Sequence, residues 1–514
     1  MNQTIPAKTI RTVIAASSVG TMIEWYDFYI FGMLAKVIST QFFPEGNATA
    51  ALLSTLAIFA AGFIVRPFGA LVFGRLGDLI GRKYTFLVTL VLMGGSTFLI
   101  GLVPGYKTIG IAAPLLVLLL RIIQGLALGG EYGGAATYVA EHAPANRRGF
   151  FTSWIQTTAT LGLFIALGVI MLVKLNMADA QFNAEWGGWR YPFWISVVLV
   201  IISVYIRLKM AESPLFARLK SEGKTSTNPL KESFRHKSNF KMVLLALFGA
   251  VMGQGVIWYT GQFYAQNFLE NACKIEFEQS RTIMLWAIAL ATPFFLFFGW
   301  LSDRVGRKWI MLLGMLAGVI LYRPIFSEFL NDTNLEHWKD KDISLVKRDS
   351  IQKSDTSYEI KERYHTANGN SFTSVTTHLS GSMAGINGFT SIASVVSPEF
   401  KGSIIDKKVD RATYFKFVLL VWVMIIMVTM VYGPIAAFLV EMFPTKIRYT
   451  SMSLPYHIGN GVFGGLVPFI GLLLATTFPK DPLVGLWYPI GVAALSFIIG
   501  AIYLTNKIDR DVMD

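Results

Sequence analysis

Cysteine is almost absent from this chain. Cys273 is the only one among 514 residues, which excludes a disulfide framework and a cysteine metal cluster. Charge is also scarce, at 15% of residues, while 53% are hydrophobic and the mean hydropathy is +0.51. A water-soluble chain of this length would expose too much apolar surface. The composition therefore indicates a polytopic membrane protein.

Motifs for ATP use and for metal catalysis are missing. There is no Walker loop and no H-E-x-x-H helix, and the six histidines are scattered. We therefore expect no enzymatic activity, no metal and no cofactor. The net charge of +13 does not require a nucleic-acid partner, because the basic residues cluster in short connections between apolar runs. The first apolar run lacks a small-residue cleavage site, so no cleavable signal peptide is expected.

Twelve apolar stretches are long enough to cross a bilayer, since about 20 residues span its hydrocarbon core. Their limits are 12–37, 50–74, 84–103, 112–140, 149–174, 191–210, 241–268, 282–303, 308–328, 412–442, 450–476 and 484–505. Lys and Arg concentrate in alternate connections. The positive-inside rule then places both termini on the inner side of the cytoplasmic membrane.

Two short phrases occur twice and indicate an internal duplication. GRLGDLIGRK at 74–83 is matched by GWLSDRVGRK 225 residues later, at 299–308. The pattern E-x-x-P-x-x-x-R at 141–148 is matched 300 residues later, at 441–448. The second copy therefore carries about 75 extra residues between its two phrases, as an inserted segment would.

The expected fold is an all-α membrane protein of two pseudo-symmetric six-helix bundles. The first bundle covers 1–210, a charged cytoplasmic linker covers 211–240, and the second bundle covers 241–514. A polar insertion at 329–411 lies on the extracytoplasmic side, between the ninth and tenth helices. We expect it to form short strands or a hairpin, with 385–389 and 395–400 as candidates, or to be largely disordered because it has few large apolar residues.

The repeated loop, G-x-L-x-D-x-x-G-R-K, and the R-x-x-Q-G motif at 121–125 resemble the major facilitator superfamily. Glu24-Trp-Tyr-Asp27, Arg66-Pro67, 129–134 and 147–151 resemble its metabolite:H⁺ symporter family. The resemblance implies the fold of that superfamily and proton-driven carriage of a metabolite. Carriers of that family take α-ketoglutarate, citrate, shikimate, or proline and betaine.

In the resembling family the repeated loop is a cytoplasmic latch. Physically, Asp78 is an anion that can cap a neighbouring helix N-terminus or pair with Arg82, and the second copy repeats the arrangement. The alternative is a membrane-border turn with snorkelling cations. The expected gate residues are Asp78, Arg82, Asp303, Arg307, Glu141, Arg148, Glu441 and Arg448.

Ionisable residues inside a span are costly and usually face a partner or a substrate pathway. Glu24 and Asp27 are three residues apart and share one helix face, at a depth similar to that of Arg121. We expect Asp27 to bind the proton and Arg121 to be its switchable partner, with Glu24 and Glu131 as further coupling acids. A permanent structural salt bridge is the alternative.

Substrate is expected near the bilayer midplane, between the two bundles. The candidate binding residues are Arg66, Tyr26, Gln124, Tyr132, Gln254, Tyr259, His457 and Asn460. Several have simpler readings: Arg66 can pair with Glu24 or Glu131, and His457 can be a satisfied structural donor. The aromatic residues around Tyr259 can form an outer belt. The glycine stripe 125–129–133 is expected to serve helix packing.

The expected function is proton-coupled symport of a small organic anion, such as the dicarboxylate α-ketoglutarate, by alternating access. The alternatives are a zwitterion (proline or betaine) symporter, an uncoupled facilitator or exchanger, and a non-transporting receptor. The expected partners are the small-molecule substrate, H⁺ and the lipid bilayer. A monomer is expected, without nucleic acid.

Overall fold

A computed structural model describes thirteen stretches of the chain. These are residues 18, 21–23, 25–44, 46–80, 82–130, 136, 139–140, 143–209, 237–339, 343–354, 357–379, 403–443 and 448–506. Within them, the side chains of 74–80, 82–86, 145, 203, 206–207, 209, 339, 351–354, 357–358, 377–379 and 448–450 lie outside the description.

Helices account for most of the described chain. Residues 25–33 are helical, and the first half continues with α1 (Ala35–Phe42), α2 (Ala48–Ile64), α3 (Arg66–Ile80), α4 (Arg82–Ile100), α5 (Tyr106–Ile109), α6 (Ala112–Gly129), α7 (Arg148–Leu175), α8 (Asp179–Phe182) and α9 (Tyr191–Lys209).

The second half contains α10 (Lys237–Ala246), α11 (Met252–Tyr259), α12 (Ala265–Asn271), α13 (Phe277–Ala291), α14 (Pro293–Val305), α15 (Arg307–Asp332), α16 (Glu336–Lys339), α17 (Arg411–Tyr432), α18 (Ile435–Met442), α19 (Arg448–His457), α20 (Val467–Thr477) and α21 (Trp487–Tyr503). Three π-helical segments, Leu247–Val251, Thr260–Tyr264 and Ile458–Gly464, interrupt the helices that carry several candidate binding residues. Such segments are frequent at functional sites.

Nine helices in the described part of the chain are long and apolar enough to cross a membrane. They are Ala48–Phe73, Ala112–Gly129, Arg148–Leu175, Lys237–Asn271, Phe277–Val305, Arg307–Asp332, Arg411–Met442, Ser451–Thr477 and Val484–Tyr503. Shorter apolar helices at Leu87–Ile100 and Gly188–Ile202 fall in the third and sixth predicted spans. The first predicted span is described only from residue 18 and with gaps. The count of twelve therefore stays a prediction.

Each copy of the repeated phrase forms a corner between two helices. In the second copy, α14 ends at Val305 and α15 begins at Arg307, with Gly306 between them at a φ of +91°. That positive φ is readily adopted only by glycine, which explains why the phrase needs this residue. In the first copy, α3 ends at Ile80 and α4 begins at Arg82, so the boundary between the helices falls after the same number of residues.

The polar segment between α15 and α17 contains a four-stranded antiparallel sheet in the order β1 (Ile343–Ser354), β2 (Ser357–Thr366), β3 (Ser371–Leu379) and β4 (Ser403–Lys408). The predicted block begins at 329, but α15 continues to Asp332. The candidate strands at 385–389 and 395–400 lie outside the described residues. Strands form despite the polar composition because backbone hydrogen bonds pair β1 with β2 over most of their length.

A small apolar cluster and several backbone contacts hold this sheet in place. The ring of Phe372 stacks on Tyr364 at 5.0 Å and lies 6.3 Å from Trp338. The main chain of Lys407 donates to Lys274 O at 2.7 Å and accepts from Glu276 N at 2.8 Å. Both contacts join β4 to the loop before α13.

The chain divides into two compact units. One comprises Met1–Tyr264, Ile288–Tyr322 and Val423–Asp514, and contains both copies of each repeated phrase. The other comprises Ala265–Ala287 and Arg323–Trp422, and contains the sheet. The expected domain boundaries, 1–210, 211–240 and 241–514, stay predictions.

Glycines allow α6 to touch α2 and α3 along the backbone. A Cβ atom added at Gly125 would lie 1.8 Å from Gly62 O, and one added at Gly129 would lie 2.1 Å from Arg66 O. Close backbone approach of this kind is how small residues associate helices in lipid. The contact holds α3, and with it Arg66, against α6.

We predict that Gly125→Ala destabilises the fold by about 1–3 kcal/mol, the usual cost of overpacking a tight contact. The measurement is the Tm of the purified protein in detergent. Gly168→Ala is the matched control, because a Cβ there meets nothing within 4 Å. The control should leave Tm unchanged or raise it slightly, since alanine is favoured over glycine in a helix by about 1 kcal/mol. Equal Tm values for the two variants would contradict the packing role.

Candidate functional site

The carboxylate of Asp27 is buried, with 1% of the residue exposed, and accepts a hydrogen bond from the Ser196 hydroxyl of α9. The neighbouring hydroxyl of Tyr26 donates to Pro192 O at 2.8 Å. Tyr26, a candidate binding residue, is thus already engaged within the first half of the chain. Both contacts tie the first helix to the start of α9.

Arg121 lies among main-chain carbonyls and one amide. Its guanidinium donates to the Gln124 side chain and, at 3.4 Å each, to Phe28 O and Phe59 O. The expected direct contact with Asp27 is absent from this structure. Gln124 instead links Arg121 to the main chain of Asp27, because its Nε2 donates to Asp27 O at 3.1 Å and to Thr97 Oγ1 at 2.7 Å. Similar depth along two helices does not make two side chains face each other.

Arg66 is fully buried and surrounded by aromatic rings. Its guanidinium carbon lies 4.1 Å from the ring centre of Phe63, 4.4 Å from that of Phe28 and 5.3 Å from that of Trp25. Cation–π contacts of this kind stabilise a guanidinium but leave its in-plane N–H donors free. Nε and Nη2 of Arg66 have no hydrogen-bond partner among the described residues.

The aromatic cluster continues from the first half of the chain into the second. The ring of Tyr29 stacks on that of Trp258 at 5.4 Å, and the Trp25 and Trp258 ring centres are 6.3 Å apart. Tyr259 meets Phe63 edge-on at 4.9 Å. Side chains on the first span, α2 and α11 therefore form one contiguous group.

Several polar atoms in and near this cluster lack partners within the described part of the chain. They belong to residues that are at most 2% exposed: Arg66 Nε and Nη2, Tyr29 OH, Trp258 Nε1, both amide atoms of Gln262, and both ring nitrogens of His457. Arg66 is close enough to act electrostatically on Tyr29, Tyr259 and His457. Buried polar groups normally have a partner, so an unmet group of this kind indicates a place for water or a ligand.

Two candidate binding residues form hydrogen bonds with each other. Gln254 Nε2 donates to Asn460 Oδ1 at 3.0 Å, and Asn460 Nδ2 donates to Gln254 Oε1 at 2.9 Å. This reciprocal amide pair joins α11 to the π-helical segment after His457. In this conformation Gln254 and Asn460 form a structural pairing of the two helices, and their contact with substrate stays a prediction.

A charged network joins the two halves of the chain at one end of the helices. Glu441, at the end of α18, accepts two hydrogen bonds from Arg307, Nε to Oε2 and Nη2 to Oε1, each at 2.7 Å. Arg148, at the start of α7, donates to Glu441 Oε1 at 3.2 Å. One carboxylate from the second half thus holds an arginine from each half. Their side chains are no more than 6% exposed.

Asp303 adds a helix cap to the same network. Its carboxylate oxygens accept from Gly149 N at 2.7 Å and Phe150 N at 2.9 Å, in the first turn of α7. Arg307 Nη2 lies 3.0 Å from Asp303 Oδ1. An anion at a helix N-terminus meets free N–H groups and the positive end of the helix dipole. The second copy of the repeated phrase therefore both caps a helix of the other half and pairs with its own arginine.

The remaining predicted residues cannot be assigned contacts. Glu24, Glu131, Tyr132 and Glu141 lie outside the described residues, as do the side chains of Asp78, Arg82 and Arg448. Sequence reasoning did not select Tyr29 at all. Its signal, a tyrosine one helical turn after Trp25 on the same face, looks like ordinary aromatic packing.

We predict that Glu441→Gln loosens this end of the molecule. Removing the charge of Glu441 takes the buried carboxylate of the second half away from Arg148 of the first half, and the loss of one member of a buried ion pair costs the joined state about 3–5 kcal/mol. The measurement is the distance between spin labels at Asn146→Cys and Val305→Cys, in a Cys273→Ser background, by pulsed electron paramagnetic resonance. Longer distances should dominate in the variant.

The matched control for that measurement is Glu336→Gln, which alters an exposed acid in α16. It should leave the distance distribution unchanged. An unchanged distribution in Glu441→Gln as well would show that Glu441 does not hold the halves together.

Long apolar helices that carry buried polar side chains are typical of a membrane transporter. The model of the family described as Sugar (and other) transporter matches residues 12–340, and the chain belongs to that family, within the major facilitator superfamily.

Curated relatives align with this chain, one over most of its length and others over part of it. The inner membrane metabolite transport protein YhjE of Escherichia coli K12 is 31% identical over 507 residues, 98% of this chain and 95% of that protein. The proline/betaine transporter of the same strain is 36% identical over 324 residues, 62% of this chain and 64% of that protein. Its alpha-ketoglutarate permease is 36% identical over 325 residues, 63% of this chain and 73% of that protein.

Among solved structures, the partially occluded, inward-open xylose transporter XylE from E. coli matches with a TM-score of 0.65. The match covers 98% of this chain and 99% of that one at 15% sequence identity. A likeness at this identity shows the shared fold. The chain is thus a metabolite transporter of the major facilitator superfamily.

Proposed function

We propose that this transporter couples the uptake of a small organic anion to protons, across the cytoplasmic membrane, by alternating access. The observation that carries the proposal is Arg66, a fully buried cation with two guanidinium N–H groups that meet no described partner. Di- and tricarboxylates such as α-ketoglutarate are the anions expected from the sequence.

A carboxylate matches the free atoms of Arg66. Neighbouring N–H groups of one guanidinium donate in parallel to the two oxygens of a carboxylate, which is the strongest common pairing of these groups. Burial of a cation whose donors meet no partner among the described residues is costly, so a bound anion would lower that cost. The anion would then lie against the rings of Trp25, Phe28 and Phe63.

Asp27 supports proton coupling. It is a buried carboxylate whose one described side-chain partner is the Ser196 hydroxyl. Gln124 hydrogen-bonds to both the Asp27 main chain and Arg121, so a movement of α6 would change the position of Asp27. Binding and release of a proton at Asp27 as the carrier alternates is the coupling that we propose.

A zwitterion is the second candidate. The rings of Trp25, Tyr29 and Trp258 are of the kind that binds a quaternary ammonium through cation–π contact, with the carboxylate at Arg66. Tyr29 stacks on both tryptophans in this conformation, so a ring would have to turn to receive the ligand. One relative is named a proline/betaine transporter and another an alpha-ketoglutarate permease, at equal identity. An uncoupled facilitator or exchanger is the further alternative.

We predict that Arg66→Gln lowers uptake of the anion about 10- to 100-fold in proteoliposomes, since charged hydrogen bonds contribute about 1.5–3 kcal/mol. The screen uses labelled α-ketoglutarate, citrate, glycine betaine and proline under an imposed proton gradient. Arg304→Gln, at the exposed end of α14, is the control and should retain uptake. Full uptake by Arg66→Gln would contradict the assignment of Arg66.

We predict that Asp27→Asn abolishes accumulation against a gradient while leaving exchange of labelled for unlabelled substrate. The asparagine side chain has the same size as that of aspartate, but its amide does not bind and release a proton near neutral pH. Ser196→Ala, which removes the hydroxyl but keeps the acid, should still accumulate substrate. Accumulation that survives an uncoupler in the unmodified protein would favour the facilitator or exchanger instead.

A further inference from the structure

Two buried arginines contact the same aromatic ring. The guanidinium carbon of Arg66 lies 4.4 Å from the ring centre of Phe28, and that of Arg121 lies 4.2 Å from it. All three residues are fully buried. Phe28 belongs to the first helix, Arg66 to α3 and Arg121 to α6. One phenyl ring therefore stabilises two cations from different helices.

Neighbouring rings contact one of these arginines each. The ring centre of Phe63 lies 4.1 Å from the guanidinium carbon of Arg66, and that of Phe31 lies 4.7 Å from the guanidinium carbon of Arg121. Among the cation–π contacts of the described residues, Phe28 is the ring that the two arginines share. Its electron density thus acts on both cations, which are also close enough to repel each other electrostatically.

Donors in the plane of each guanidinium remain for a ligand. Nε and Nη2 of Arg66 and Nε of Arg121 have no hydrogen-bond partner among the described residues. Within the described part of the chain, no carboxylate forms an ion pair with either arginine. Aromatic rings therefore lie against the faces of the two cations, while their edges offer N–H groups to an anion.

A ring and an anion act on the same charge. The attraction between a ring face and a guanidinium comes from the ring quadrupole and the positive charge above it. A carboxylate bound at the edge of the guanidinium neutralises much of that charge, so the ring stabilises the cation less once the anion is bound. An electron-rich ring therefore lowers the affinity of the site for an anion.

We infer that Phe28 is a positioning residue that sets the anion affinity of the site through Arg66 and Arg121 together. Its ring partly replaces a counter-ion for both cations until the anion binds, and it keeps the affinity low enough for release. This rests on the proposed function, in which an organic anion binds at Arg66. It adds Arg121 to the anion site, beyond its expected pairing with Asp27.

The test changes the electron density of the ring and almost nothing else. Phe28 is replaced by mono-, di- and trifluorophenylalanine through nonsense suppression, because each fluorine withdraws charge from the ring face. The probes are labelled α-ketoglutarate and citrate, and the measurement is their Kd for the purified full-length protein. Affinity should rise with each fluorine, to about 3- to 10-fold above that of the unmodified protein, as the loss of cation–π attraction predicts.

Three other buried rings are the matched controls. Fluorination of Phe63, which contacts Arg66, and of Phe31, which contacts Arg121, should raise the affinity less than fluorination of Phe28. Phe417 of α17 is equally buried and contacts a further phenylalanine ring at 4.9 Å, so its fluorination should leave Kd unchanged. An unchanged Kd in the Phe31 series would overturn the inclusion of Arg121 in the anion site.

The Tm of the same proteins without ligand reports the contacts between ring and arginines. It should fall stepwise with fluorination of Phe28 relative to the Phe417 series, because a poorer ring face stabilises the buried cations less. A merely space-filling ring would give the same Tm series at both positions, and that result would contradict the shared contact.

The outcomes separate this inference from the proposed function. A flat or falling affinity for the acids across the Phe28 series would overturn the inference and leave anion transport intact. An affinity for glycine betaine that falls stepwise would also overturn it, since the ring would then hold a ligand cation. Failure of the unmodified protein to bind any organic anion would overturn the proposed function, while the Tm series would still test the ring.

Discussion

The hydrocarbon core of a bilayer supplies no water, so every polar group placed there must find a partner within the protein or its ligand. This chain meets the requirement locally in most places. The amides of Gln254 and Asn460 hydrogen-bond to each other. The side chain of Gln124 hydrogen-bonds to three neighbouring groups. These contacts set the rotation of each helix about its axis. The positions of the unsatisfied side chains follow from that rotation.

The unmet groups around Arg66 are informative because several of them belong to aromatic rings that contact one another. Arg66 is held in place by ring faces, which stabilise the cation without using its in-plane donors. The glycine contacts of α6 bring the backbone of α3 close enough to keep Arg66 at this depth. A polar side chain that is rigidly positioned and unpaired is preorganised for a ligand.

Sequence reasoning predicted the features that depend on spacing along the chain. The corner at Gly306 and the placement of Asp303 and Arg307 beside it follow from the repeated phrase alone. The sequence does not show which way a helix faces. Asp27 and Arg121 lie at similar depth, yet in this conformation Gln124 links Arg121 to the main chain of Asp27, and the switching of an Asp27–Arg121 pair stays a prediction. The strands of the polar segment were underestimated, because β1 is exposed on most of its length and carries no strong apolar alternation.

In the alternating-access cycle proposed above, the charged network and the central site would act on one another through energies of similar size. Parting the halves would separate Glu441 from Arg148 and Asp303 from the first turn of α7, a cost of several kcal/mol. A ligand can shift such an equilibrium only by its difference in affinity for the two states. Two charged hydrogen bonds at Arg66, at about 1.5–3 kcal/mol each, supply a difference of that order. If the network were much stronger, no small metabolite could open it. If it were much weaker, the carrier would open without its cargo and the gradient would leak.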